Sequence, residues 1–257
     1  MPSRGSSPEW YVISLRPRGQ HDGLRRAAAR HGAGLIALSP WRLQARDDDA
    51  TRAMLRDALA ASRVVWTSPP AVRAAAALQP LHARADQHWC AVGAGTAAAL
   101  RRAGIARVQA PARMDSEGLL ALEALRDIQG VPVGLVTAPG GRGTLPPALQ
   151  ARGAQVIRAD VYERMPIAPS ASALAALRAL DAPAVLALSS AAALQCTLAA
   201  VPADIAAILR RARVVAASAR LAEIARGHGF DRVDIARSAL PRDLLEAAMR
   251  PHERAFR

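Results

Sequence analysis

Residues 90–105, CAVGAGTAAALRRAGI, decide the fold together with a near copy, VVAASARLAEIARGHGF, at 214–230. Each stretch begins with a short apolar run, continues through a turn of small residues and ends in a helical segment that a glycine stops. The shortness of the apolar runs and their flanking glycines favour strands there, and the longer segments favour helices. The copies lie about 120 residues apart, a period too long for a solenoid. This spacing predicts two similar α/β modules.

The same offset links the neighbouring segments. VVWTSPPAV (64–72) matches AVLALSSAAAL (184–194), and each predicts an apolar strand that ends in hydroxyl residues and opens a helix. Farther upstream, residues 11–38 match residues 131–161, where a buried strand, a Pro- and Gly-containing turn, a helix and a second strand follow in order. Strands that alternate with helices predict parallel sheets with helices packed on their faces.

The charge of the chain is positive and comes from arginine alone. The 257 residues include 34 Lys+Arg against 21 Asp+Glu, a formal charge of +13, and no position is lysine. The absence of lysine excludes Schiff-base, pyridoxal phosphate and P-loop chemistry that depends on this residue. The surplus of arginine favours an anionic partner. Cys90, Cys196 and the six histidines show no disulfide or zinc spacing, so we expect neither a disulfide framework nor a zinc site.

One uncharged stretch, residues 183–203, is long enough to span a bilayer. It is mostly alanine and contains Ser, Gln, Thr and Pro, so the pattern favours a strand, a turn and a helix. The first residues, MPSRGSSPEW, lack the apolar core of a signal peptide. We therefore expect a cytoplasmic protein with no membrane partner.

Small and hydroxyl residues follow the predicted strands. In open α/β sheets, ligands bind beyond the carboxyl ends of the strands, and the N–H groups of the following helices can hold a carboxylate or a phosphate. A single turn of this kind is more simply a helix cap or a tight turn. Six such turns combined with a basic surplus predict an anion site. These turns are at residues 14–16, 66–69, 93–96, 137–142, 189–190 and 218.

Other ligand classes have weaker support. GAGT (93–96) is not a complete GxGxxG, and GxSxG is absent, which argues against a dinucleotide-binding protein and an α/β-hydrolase. A nucleic-acid binder rests on charge alone, because the few aromatic residues that could stack on bases are scattered. We expect no nucleic-acid partner, and a steep loss of affinity with salt would be the sign of one.

The order of several motifs resembles that of the uroporphyrinogen-III synthase family. TSPPAVR (67–73), VGAGTAAALRRAGI (92–105), DSEGLLALEAL (115–125) and the segment 140–164 follow one another as in that family, and the resemblance covers nearly the whole chain. It implies an α/β fold with two similar domains, each a parallel sheet flanked by helices, joined by a two-stranded linker with a cleft between them.

The resemblance also implies a discontinuous first domain. It combines residues 1–37 with 168–257, and the second domain is 38–167. Two exits from strands in the sequence fit this division, because Ser39-Pro40 and the segment 165–169 place prolines directly after predicted strands.

The activity that the resemblance implies is a cofactor-free lyase reaction. Enzymes of the family cyclise hydroxymethylbilane with loss of water and inversion of ring D, giving uroporphyrinogen III in heme biosynthesis. The carboxylate-rich substrate suits an arginine-rich site. We further expect a monomer that receives its substrate from the preceding pathway enzyme. The alternative is a non-catalytic module on the same fold that binds a tetrapyrrole or another anion, because fold alone does not fix function.

Tyr162, in VYER, matches the family's tyrosine near the hinge and is the predicted proton donor to the departing hydroxyl. A tyrosine hydroxyl is protonated at neutral pH and can donate, although it is a weak acid. The simpler alternative is a tyrosine packed at a strand end. The resemblance also implies substrate contacts. Each of them would equally suit a cap or a turn, except Arg142, which would equally suit an ion pair with a surface Asp or Glu. They are Arg16, Thr67, Ser68, Thr96, Gly140, Gly141, Arg142, Ser189, Ser190 and Ser218.

The sequence departs from the family pattern at three places. Leu221 stands where the family usually has Thr, Ser218 where Gly is usual, and VGAGTA (92–97) replaces a proline-containing turn. These departures affect the polar contacts expected in the first domain, and Leu221 and Ser218 are the reason to consider the non-catalytic alternative.

Overall fold

The computed structural model describes residues 8–113, 116–140 and 143–250. The chain divides into two compact units. Unit 1 comprises Met1–Arg42 and Met165–Arg257, and unit 2 comprises Leu43–Arg164. The division into two domains that the sequence predicts, residues 1–37 with 168–257 and residues 38–167, stays a prediction.

Strands and helices alternate along the described residues. In chain order, the strands are β1 (Trp10–Ser14), β2 (Ala33–Ala37), β3 (Trp41–Ala45), β4 (Arg63–Trp66), β5 (His88–Ala91), β6 (Pro132–Thr137), β7 (Gln155–Asp160), β8 (Tyr162–Pro166), β9 (Ala184–Leu188), β10 (Arg213–Ala216) and β11 (Val233–Ile235). The helices are α1 (Asp22–Ala29), α2 (Asp49–Ala60), α3 (Pro69–Leu78), α4 (Ala94–Arg102), α5 (Ser116–Leu120), α6 (Leu145–Ala151), α7 (Ala171–Arg178), α8 (Ala191–Ala200), α9 (Ala203–Arg211), α10 (Ala219–Gly227) and α11 (Pro241–Met249), with a 3-10 turn at Glu123–Leu125.

Both units contain a parallel sheet. The unit 1 sheet has the strand order β11-β10-β9-β1-β2, and the unit 2 sheet has the order β5-β4-β6-β7. Each adjacent pair of strands within these sheets is parallel. The expectation of parallel sheets flanked by helices is therefore confirmed. The uncharged stretch 183–203 forms β9, a turn and α8, as its composition predicts.

A separate pair of strands, β3 and β8, carries the chain between the units. At one end of this pair the Ile167 amide donates to the Pro40 carbonyl over 3.2 Å, and at the other the Arg46 amide donates to the Val161 carbonyl over 3.0 Å. This two-stranded ribbon is the linker that the family resemblance implies.

The two sequence copies have the same local structure. Two residues after its last residue, each of the helices α4 and α10 is followed by a glycine with positive φ, 93° at Gly104 and 83° at Gly229. The next residue in each copy donates its amide to a carbonyl five residues back, Ile105 to Leu100 over 3.0 Å and Phe230 to Ala225 over 3.2 Å. Only glycine adopts this left-handed conformation without strain, so it is the residue that stops each helix.

The core of each unit contains many alanines, and the core of unit 2 also contains two large aromatic rings. In unit 2 the rings of Trp66 and Trp89 stack with their centroids 5.4 Å apart, and both are almost fully buried. Helix α2 lies directly on strand β6, because a Cβ atom at Gly134 would stand 1.9 Å from the carbonyl oxygen of Ala58. This close packing of helix on sheet fixes the strands whose ends carry the candidate site.

Candidate functional site

The carboxyl ends of β4, β5 and β6 lie at one edge of the unit 2 sheet, because these strands are parallel. This edge collects three of the predicted small-residue turns. Thr67 follows β4, and its hydroxyl donates to the hydroxyl of Thr137, the last residue of β6, over 2.8 Å. Hydroxyl groups from two neighbouring strands therefore meet at the edge where α/β sheets bind ligands.

Tyr162 lies at the same edge and is bonded to Ser68. The two hydroxyl oxygens are 3.1 Å apart, and the Ser68 oxygen also accepts the Ala71 amide over 3.2 Å as the N-cap of α3. The ring of Tyr162 packs in the unit 2 core, and the residue is 5% exposed. Ser68 therefore caps α3 and Tyr162 packs in the core, as the simpler alternatives from the sequence predict. In addition, the two hydroxyls form a hydrogen bond with each other.

The helices at this edge differ in the N–H groups that they offer. Helix α3 begins with Pro69 and Pro70, which have no N–H, and its third amide is taken by Ser68. Helix α4 begins at Ala94. Its N-cap residue is Gly93, so no side chain accepts a hydrogen bond from the first amides of this helix. The amides of α4 are therefore better placed than those of α3 to meet an anion.

Other predicted residues of unit 2 have different surroundings. Thr96 is 2% exposed and lies inside the unit, at the third position of α4. Gly140 is exposed, has a φ of 70°, and its carbonyl accepts the Arg164 guanidinium over 2.9 Å. Gly141 and Arg142 lie outside the described residues.

In unit 1, the predicted contacts again follow strand ends, those of β1, β9 and β10. Arg16 is half-buried, and its guanidinium donates to the Ala239 carbonyl over 3.3 Å. Ser190 and Ser218 are the N-caps of α8 and α10, accepting the amides of the third helical residues over 3.3 and 3.4 Å. Ser189 is exposed next to the α8 N-terminus and makes no hydrogen bond to a described residue.

The departure at Leu221 has a structural explanation. Leu221 is the third residue of α10 and is 5% exposed, and Thr96 occupies the same position of α4 at 2% exposure. Both side chains face the interior of their own unit. The exchange of Thr for Leu therefore changes core packing, and Ser218 supplies a cap that a glycine would lack.

The structure also contains a polar cluster that the sequence did not predict. His21 is 7% exposed, its Nδ1 atom is 2.9 Å from the Ser14 hydroxyl, and its Nε2 atom is 2.8 Å from the Ser39 hydroxyl. Ser14 ends β1 and Ser39 lies just before β3, so the imidazole ties the sheet edge to the start of the linker. Nothing in the spacing of these residues signals the contact, because it depends on the pairing of β1 with β2.

Burial and neighbouring charge act on two groups at this edge. Burial lowers the pKa of His21, and the nearby positive charges of Arg25 and Arg16 lower it further, while Asp22 opposes them. Burial also lowers the pKa of the Arg16 guanidinium, which remains charged at neutral pH. The edge of the unit 1 sheet thus combines a neutral imidazole with a fixed positive charge beside it.

The described residues offer neither a metal cluster nor a membrane-spanning helix. Among residues 8–113, 116–140 and 143–250, no three His, Cys, Asp or Glu side chains come together as a metal site would require. Over the same part of the chain, no helix is both long enough and apolar enough to cross a membrane.

Comparison with known proteins gives one family and similar solved structures. The family described as uroporphyrinogen-III synthase HemD matches residues 22–246. A mutant uroporphyrinogen III synthase from Thermus thermophilus has a TM-score of 0.59 at 20% identity, covering 92% of this chain and 96% of that one. Uroporphyrinogen-III synthetase from Helicobacter pylori 26695 has a TM-score of 0.60 at 14% identity, covering 93% and 98%. At these identities, the likeness to the solved structures shows the fold alone.

Proposed function

Because the chain belongs to the uroporphyrinogen-III synthase family, we propose that it cyclises hydroxymethylbilane to uroporphyrinogen III, with loss of water and inversion of ring D. The family acts in heme biosynthesis. What we propose beyond the family is the particular lyase reaction. The reaction has two physical demands. The hydroxyl of the substrate must leave, and the two ends of a flexible tetrapyrrole must be held together while the ring closes.

The observation that carries the chemical role is the hydroxyl pair of Tyr162 and Ser68. Either hydroxyl can be the donor of this pair, and the Ser68 oxygen also accepts the Ala71 amide. When Ser68 is the donor, the Tyr162 proton is left to donate to the departing hydroxyl, which leaves as water. Loss of the N–H proton of the same pyrrole ring then gives the electrophilic azafulvene. Attack by a ring carbon gives a spiro intermediate, and its rearrangement completes the inversion.

Burial limits how much Tyr162 contributes. A side chain with 5% exposure presents little beyond its hydroxyl tip, and tyrosine is a weak acid. We therefore expect the hydroxyl to assist departure without being indispensable. Most of the acceleration would come from binding and positioning of the substrate.

The groups proposed to bind the substrate carboxylates are amides, hydroxyls and guanidinium. In unit 1 these are the half-buried Arg16, the exposed Ser189 and the first amides of α8 and α10. In unit 2 they are Thr67 and the backbone at Gly140. Charge-assisted hydrogen bonds from such groups suit a polycarboxylate. The monomeric state and transfer from the preceding enzyme stay predictions.

The product isomer tests the proposal. Freshly prepared hydroxymethylbilane is incubated with the protein, and the oxidised porphyrins are separated into isomers. The expected product is the type III isomer. If only isomer I forms, as it does without an enzyme, the proposal is wrong. Calorimetric binding of the tetrapyrrole without turnover would instead favour the non-catalytic alternative.

The variant Tyr162→Phe tests the role of the hydroxyl. We expect turnover to fall by about tenfold, less than the roughly 10²–10⁴-fold that a general acid typically contributes, because tyrosine is a weak acid. Tyr11→Phe is the matched control, since the chain has two tyrosines and Tyr11 belongs to strand β1. Equal turnover of the two variants and the unaltered protein would exclude a role for the Tyr162 hydroxyl.

A further inference from the structure

A cavity of about 780 Å³ opens at the amino-terminal edge of the unit 1 sheet. It lies at the starts of β1, β9 and β10, the opposite edge of this sheet from Ser14, Ser189 and Ser218. Its remaining walls come from the ends of α9 and α11 and from the segments just before β9 and β11. The volume is within the usual range of small-molecule sites, and no residue of the proposed active site lines it.

The corresponding edge of unit 2 has different contacts. There the Gln87 amide nitrogen donates to the carbonyls of Leu59 and Ala61 over 2.7 and 2.8 Å, and its oxygen accepts the Trp89 indole over 3.2 Å. Unit 1 has helix α9 inserted between α8 and β10, whereas residues 79–87, between α3 and β5 in unit 2, form no helix. The wall that α9 contributes to the cavity, with Ile208 and Arg211, therefore has no counterpart in residues 79–87 of unit 2.

The apolar wall of the cavity combines alanines with several larger side chains. Trp10, Ile208 and Met249 line it, and Met249 is 54% exposed. Such exposure of a large apolar side chain beside a tryptophan is typical of a site that accepts an apolar group.

Arginines supply the polar part of the wall, and no acidic residue of the described chain lines it. Arg213 is structural, because it pairs with Asp234 at 2.5 Å and donates to the Ala248 carbonyl over 2.9 Å. Arg211 and Arg250 are exposed, and neither side chain has a hydrogen bond or ion pair to another described residue. Two uncommitted guanidinium groups thus stand beside an apolar surface.

We propose that this cavity binds an amphipathic anion, with an apolar ring or alkyl body against Trp10, Ile208 and Met249 and an oxyanion facing Arg211 and Arg250. A guanidinium group binds a carboxylate or a sulfonate through paired N–H donors, which gives the site its preference for an anion over a neutral molecule of equal size. The inference uses only unit 1 contacts and does not depend on the proposed reaction.

Two dyes of the same shape test this site on the full chain. The first, 8-anilinonaphthalene-1-sulfonate, carries a negative charge, and the second, N-phenyl-1-naphthylamine, lacks it. Binding is measured by dye fluorescence and by energy transfer from Trp10, with Trp10→Phe identifying that contribution. The double variant Arg211→Gln/Arg250→Gln removes both charges. Arg101→Gln/Arg102→Gln is the matched control, because these arginines are also exposed near a helix C-terminus.

We expect the sulfonate to bind the full chain and to lose affinity by about tenfold or more in the Arg211/Arg250 variant, since a charged hydrogen bond is lost. The control variant should bind like the unaltered protein, and the neutral dye should not distinguish the three proteins. No binding of the sulfonate by the full chain would overturn the proposal. An equal loss in both double variants would do so as well, since it would reflect net charge and not this cavity.

Discussion

Lowering the pH from about 7.5 to about 5.5 is expected to weaken unit 1 through His21. Burial and the charges of Arg25 and Arg16 lower the pKa of this histidine, so the folded protein holds fewer protons there than the unfolded chain. Stability from the neutral imidazole is therefore complete above the unfolded pKa of about 6.5. It is lost as the pH falls from that value towards and through the folded pKa.

The size of this effect has an upper bound. Linkage allows one group to change the free energy of unfolding by at most about 1.4 kcal/mol per pH unit. Because about one pH unit of the interval lies below the unfolded pKa, the loss through His21 is at most about 1.4 kcal/mol. It would approach this limit only if both bonds of the ring, to Ser14 and Ser39, keep the imidazole neutral throughout.

Urea unfolding followed by circular dichroism at constant ionic strength measures the effect. The variant His21→Gln removes the titrating group, so its free energy of unfolding should depend less on pH than that of the unaltered protein. It should also be less stable at neutral pH by about 1–3 kcal/mol, because the fully buried Ser14 hydroxyl loses a partner. His31→Gln, at the exposed C-terminal end of α1, is the control. Identical pH dependence in His21→Gln and the unaltered protein would show that His21 does not contribute to the loss of stability at low pH.

The remaining predictions concern packing and reactivity. Gly134→Ala should destabilise unit 2 by about 3 kcal/mol in urea unfolding, because the new Cβ would overlap the Ala58 carbonyl oxygen. A cost below about 0.5 kcal/mol would contradict that packing. Gly229→Ala should cost about 1–2 kcal/mol, because φ is 83° there, and an unchanged midpoint would count against this. Burial raises the pKa of the Cys90 thiol to about 12, so a thiol reagent should label only the exposed Cys196 in the native protein and both after denaturation. Native labelling of two thiols would show the buried position to be wrong.

Local patterns were sufficient to predict the elements of this fold. The glycines after α4 and α10, the apolar runs of β4 and β9, and the hydroxyl residues after them all have their cause in adjacent residues, through backbone conformation and capping. For this reason Ser68, Ser190 and Ser218 could be predicted both as caps and as edge residues, and they are both.

Contacts that depend on the packing of distant elements could not be predicted from the sequence. The His21 cluster joins residues from β1, the start of α1 and the segment after β2, and the order of those strands is needed before the three can be placed together. The interior position of Thr96 is a second example. A threonine in a first helical turn after a strand suggests a polar edge, yet the rotation of α4 on its sheet turns this side chain inward.

Local sequence patterns could not predict how the strands of the two sequence copies combine into sheets. In sequence, one copy runs from β1 to α5 and the other from β6 to α11, but neither copy forms a compact unit. The unit 1 sheet joins β1 and β2 of the first copy to β9, β10 and β11 of the second, and the unit 2 sheet joins β4 and β5 of the first to β6 and β7 of the second. Strands β4 and β9 have nearly the same pattern, so no single-strand preference tells β1 to pair with β9. The pairing of β1 with β9 is instead set by the linker strands, which join the two halves of each copy. Strands β3 and β8 pair with each other, and each copy therefore contributes its first half to one sheet and its second half to the other.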